Sequence, residues 1–154
     1  MNALTAATNE LGLDSLLPDF STFMGWIELL LRIAVMVGPL LLLGFGLVYL
    51  LSPPKEANYG LGFRCWWGMA SLDAWKFTQR IAGMVWSGLG AVLTIVMAIV
   101  CITFRAVEPM EMAHRAGICL IWELVLVALA CLAINIVVMV VFDKDGFRRK
   151  EVVE

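Results

Sequence analysis

The sequence predicts an all-α membrane protein, with three transmembrane helices and a cytoplasmic loop that carries a short interfacial helix. Three observations lead there. The 154 residues are 62% apolar with a mean hydropathy of +0.90, where soluble domains run at roughly 45–50% apolar. Charged residues make up 16%, below the soluble norm of about 25%, so most of the chain requires a non-aqueous surrounding. Three apolar runs, residues 24–51, 81–104 and 117–142, each exceed the about 20 residues needed to cross a hydrocarbon core of roughly 30 Å. The runs are continuously apolar rather than alternating, which argues against barrel strands. In lipid each run must satisfy its own backbone, so each is a helix.

Residues 1–23 form an extracytoplasmic tail. Its first 22 residues contain no Lys or Arg, so the basic start of a signal peptide is missing and no cleavable signal is expected. Spaced Leu11, Leu13, Leu16, Leu17 and Phe20 fit a short helix lying on the interface; a mobile tail with chance leucines fits equally.

The first span holds Glu28 and Arg32. Ionisable groups inside a membrane segment are costly, so they pair or face a cavity. Arg32 lies about 12 Å into its span and Glu123 about 9 Å into the third, at about 1.5 Å per residue. The matching depths predict an Arg32–Glu123 contact, with Glu28 as the competing partner one turn away. Such a group lines an outward-facing cavity or forms a purely structural pair. Pro39, following Gly38, predicts a fixed bend.

The connection, residues 52–80, is unlike its flanks. Pro53 and Pro54 end the first helix. Gly60, Gly62 and Gly68 permit tight turns. Ser71 reads as an N-cap, with Asp73 in the first turn. A helix is therefore expected from Ser71 along the interface, either turning into the second span or continuing as it. Trp66, Trp67 and Trp75 suit the headgroup level as an anchoring belt; Trp75 also suits the floor or lid of a shaped loop. Asn58 bridges a turn, and Arg64 ties loop carbonyls or clamps a carboxylate or lipid phosphate.

In the second span Gly83, Ser87 and Ala91 form a small-residue stripe that lets another helix approach, in this chain or in a second copy. The stretch 105–116 reads as a polar turn. Its Glu111 and His114 have the spacing of carboxylate-bridged metal sites, but the chain has one His and no second such pair, so no metal is expected. In the third span Asn135 is placed to hydrogen-bond across helices. Three of the four cysteines lie in apolar runs and act as small hydrophobes, without disulfides.

Cations set the orientation. The connection carries Lys55, Arg64, Lys76 and Arg80, and the C-terminal stretch 143–154 carries Lys144, Arg148, Arg149 and Lys150. The opposite side has only Arg105 and Arg115. The expectation is N-terminus outside and C-terminus cytoplasmic.

The residues "PPKEANYGLGFRCWWGMASLDAWKFTQRIAGMVW" resemble the SdpI family of bacterial membrane proteins. The family pattern is an Asn, a Gly-x-Arg-Thr, then Ser, Trp and Gly leading into a membrane helix. Here these are Asn58, Gly62, Arg64, Ser71, Trp75 and Gly83, with Gln79 at a position favouring a polar amide. Cys65 stands where the family usually has Thr or Ser. Named members look like immunity proteins against a secreted peptide toxin, and one also senses it by sequestering a transcriptional repressor.

The resemblance implies toxin immunity or signalling through a peptide toxin or regulatory protein. The loop motif is then a docking surface for such a partner or a lipid headgroup, or else a self-satisfied scaffold. The rival reading is a small transporter or channel-like subunit with a pathway through Arg32, Glu123 and Asn135. Membrane lipids are expected partners, and a homo-oligomer is consistent with three spans that bury little of one another. No nucleic-acid partner and no cofactor are expected. Without a nucleophile–base set, a phosphate-cradling loop or a Cys cluster, the chain is not expected to be an enzyme.

Overall fold

The computed structural model describes residues 20–55, 60–104 and 107–149. It is an up–down–up array of three helices: α1 (Phe20–Leu51), α2 (Leu72–Thr103) and α3 (Pro109–Val141), with a single 3-10 turn at Trp67–Met69. All three are long and apolar enough to cross a membrane, and no strand occurs among the described residues. Each helix has 32 or 33 residues, about 48 Å at 1.5 Å per residue, against a hydrocarbon core of roughly 30 Å. The surplus turns at the starts of α2 and α3 carry charges, while Arg32 and Glu123 lie deeper in α1 and α3. Lys76 and Arg80 lie on the first turns of α2, and Glu111 and Arg115 pair on the exposed first turns of α3.

The first helix begins at Phe20 rather than 24, and of the two routes open to the helix from Ser71 the chain takes the continuous one. The helix capped by Ser71 continues without a break as the second span, so the interfacial portion is the opening of α2 and not a separate helix. The third helix begins at Pro109 rather than near 117. Proline is well suited to a first helical turn because its missing N–H has no partner there anyway. The proposed tail helix, Arg105 and Lys150 lie outside the described residues.

Helices α1 and α2 pack most closely. A Cβ on Gly83 would lie 2.9 Å from Leu50 Cγ, one on Gly46 2.8 Å from Ser87 Cα, and one on Gly90 2.7 Å from Leu43 Cα. The small-residue stripe therefore serves a helix of the same chain, with Gly90 as its third member in place of Ala91. Helix α3 leans more loosely on this pair. Of its apolar window 11% is buried, against 28% in α1 and 22% in α2, which leaves much of its surface to lipid.

Two apolar clusters fill the interior. The one near the connection gathers Tyr49, Phe63, Ala82, Ile134, Val138 and Phe142; the other holds Val35, Leu42, Leu93, Met97, Phe104 and Met112. Trp86 packs against both, with its ring 5.5 Å from those of Tyr49 and Phe63. Helix α1 runs unbroken through the fully buried Pro39. All four cysteines are free.

Candidate functional site

Most of the loop residues converge at one end of the array. Gln79, wholly enclosed by protein, reaches back from the second turn of α2. Its Nε2 donates to the Phe63 carbonyl at 2.8 Å and its Oε1 accepts from the Phe63 N–H at 2.8 Å. A side-chain amide here completes the backbone pairing that no neighbouring strand supplies, as a buried peptide group requires. Next to it Gly62 has φ +127°, a region open to glycine. A Cβ there would sit 2.7 Å from the Trp75 ring.

Trp75 is completely buried and donates its indole N–H to the Pro54 carbonyl at 2.9 Å. It is therefore the floor of the loop and not a member of an anchoring belt, whereas Trp66 is 81% exposed. Arg64 is exposed between the buried Phe63 and Cys65. Cys65 occupies a tight space beside Gly68 and Thr78. Burial pushes its thiol pKa up, against smaller opposing hydrogen bonds from those two residues. Asn58 lies outside the described residues. Gly83 belongs to the α1–α2 contact rather than to the loop.

Ser71 does two jobs. Its Oγ accepts from the Ala74 N–H at 3.1 Å, capping α2, and donates to the Gly146 carbonyl at 2.8 Å. Gly146 closes a turn after α3: Asp143 Oδ1 accepts from the Asp145 and Phe147 N–H groups, and Phe142 bridges Arg148. Gly146 has φ +82°, and a Cβ on it would meet Ser71 at 2.6 Å. Arg148 also reaches Asp73 at 3.5 Å. The chain after α3 is thus stitched to the connection. The Asp-Gly dipeptide 145–146 is a turn signal that a reading of 143–154 as a plain tail passed over. Phe63, Pro54 and Thr78 carried no such signal, because they act through backbone or local packing.

Beside this clasp, Trp66, Met69, Ala70, Lys144 and Asp145 border an open groove of ≈ 670 Å³.

The polar groups inside the spans do not assemble as expected. Arg32 pairs with Glu28, one turn earlier on α1, and makes no ion pair with Glu123. The reason is geometric. Glu123 meets α1 at the level of Gly38, six residues and about 9 Å beyond Arg32 at 1.5 Å per residue. It faces Gly38, where a Cβ would come within 2.8 Å of its Oε2. Asn135 donates to the Cys131 carbonyl of its own helix at 2.9 Å rather than across to another.

Comparison with known proteins adds one match. A model of the SdpI/YfhL protein family matches residues 55–142, more than half of the chain. The chain belongs to the SdpI/YfhL family. No curated protein and no solved structure matches it. The region shared with the SdpI/YfhL family takes in the connection from Lys55, α2, α3 and Phe142. The Gln79–Phe63 lock, Trp75 and Glu123 all fall inside it. Helix α1, with Glu28, Arg32 and Gly38, and the Gly146 turn fall outside it. This SdpI-family chain is a multi-pass membrane protein by its three apolar helices and its family together.

Proposed function

We propose that this SdpI-family membrane protein confers immunity to a membrane-active peptide toxin, or senses it, by binding a peptide or protein partner without catalysis. One observation carries the reading: the loop from Gly60 to Ser71 is held in shape by internal bonds, yet it presents an exposed face. Gln79, Trp75 and Ser71 spend their polar atoms on the fold, while Trp66 and the groove beside Lys144 open outward and Arg64 is exposed near them. A pre-shaped surface with an exposed aromatic and cations suits a partner, since little ordering is left to oppose binding. The cation bias of this end supports a cytoplasmic location for it, with the N-terminus outside. The groove is then met by a regulatory protein from within.

The test is survival. A toxin-sensitive cell expressing the chain is challenged with membrane-active peptides, beside cells expressing Arg64→Ala or Trp66→Ala at equal levels. Protection by the native chain that both variants lose supports docking at the loop. Survival no better than in cells lacking the chain overturns the proposal. A reporter on the C-terminus that is reached from outside intact cells overturns the orientation.

A further inference from the structure

We propose that the cleft where α1, α2 and α3 meet at Glu123 is a binding site for a lipophilic amine, an apolar body bearing one protonated nitrogen, that enters sideways from the bilayer. The cleft holds ≈ 390 Å³, within the roughly 300–1,000 Å³ of small-molecule sites. Its walls come from all three helices, with Leu42 and Phe45 from α1, Trp86 and Leu93 from α2, and Val127 from α3. The single ionisable group among its lining residues is Glu123.

Glu123 is 6% exposed, and its Oε1 is buried with no hydrogen-bond partner. An acid enclosed in apolar surroundings without a donor is costly, and native folds rarely leave such an atom idle. Arg32 gives one guanidinium nitrogen to Glu28, its Nε stays buried without a partner, and it makes no ion pair with Glu123. Gly38 leaves the space into which the carboxyl projects. A ligand supplying one N–H donor on a greasy body completes the site: the nitrogen meets Oε1, and the aromatic faces of Trp86 and Phe45 favour a cation nearby. The route follows from exposure. Leu41, Leu120 and Leu124 border the cleft, are exposed, and lie midway along their helices, so the mouth faces acyl chains. This site stands apart from the loop groove and does not depend on the toxin reading.

The experiment uses the full chain in phosphatidylcholine nanodiscs and dodecylamine carrying a terminal bromine, which quenches tryptophan emission on contact. The control probe is the matching bromo-alcohol. The expected result is saturable quenching by the amine at concentrations about tenfold or more below those needed by the alcohol, the scale of a hydrogen bond to a charged group. Trp86→Phe removes the saturable component and leaves the linear quenching of the exposed Trp26, Trp66 and Trp122, and Glu123→Gln weakens amine binding by about tenfold. Equal curves for amine and alcohol, or unchanged amine binding in Glu123→Gln, overturn the proposal and leave simple partition into lipid. Should Glu123→Gln not accumulate, competition on the native chain decides. Unbrominated dodecylamine must displace the quencher where dodecanol does not, and equal displacement by both refutes the site.

Discussion

Gln79 and Glu123 are both almost entirely enclosed by protein, on adjacent helices, and the fold treats them in opposite ways. Gln79 at the loop end has both ends of its amide engaged with one peptide unit. Glu123 in the middle of the array has an oxygen that meets no donor. The difference teaches where rigidity ends. At the loop end each polar atom of Gln79, Trp75 and Ser71 closes a specific bond, so a change there costs structure. In the central cleft the carboxyl holds nothing in place, so a change there costs little structure and bears on binding instead.

That contrast can be broken by substitution, with thermal midpoints of the purified chain in detergent as the measurement. The largest loss is expected from Gln79→Leu, which strands the buried N–H and C=O of Phe63, at about 1–3 kcal/mol for each unsatisfied group. Gly62→Ala comes next, at about 2 kcal/mol, because it forces a left-handed residue and a clash with Trp75. Ser71→Ala removes the α2 cap and one stitch to Gly146, for about 1 kcal/mol. Glu123→Leu has the opposite sign: it raises the midpoint, by about 1 kcal/mol, because an unpaired polar group leaves an apolar site. A fall in the midpoint as large as that of Gln79→Leu would erase the distinction between the two regions. The smallest effect belongs to Arg148→Ala, at about 0.5 kcal/mol or less, since its bond to Asp73 is a surface ion pair.

The sequence was informative wherever lipid imposes a simple rule. Three apolar runs sufficed to place three helices, because a membrane span admits only self-bonded backbone. Loop positions Gly62, Ser71, Trp75 and Gln79 were legible as a group, since glycine, cap and amide each have a narrow set of structural uses. The partner choices were not. Glu28 and Glu123 were both reachable for Arg32 on paper, and the decision depended on the level at which α3 meets α1, since Glu123 faces Gly38 rather than Arg32. Pro109 at the first helical position was a helix-start signal, but the polar side chains of Glu111, His114 and Arg115 made that stretch read as a turn. Those side chains are tolerated because the helix outruns the hydrocarbon layer. Asn135 lacked a cross-helix partner for a related reason: α3 packs too loosely to bring one near, and its own Cys131 carbonyl was available.

The bond from Ser71 to Gly146 spans 75 residues of chain. During synthesis the first two crossings emerge long before residue 146 leaves the ribosome. The elbow between them therefore waits, half assembled, until the Gly146 turn has emerged and has folded back. Completion of this surface is tied to synthesis of the Gly146 turn, and a polypeptide stopped short of that turn would display an unfinished version of it.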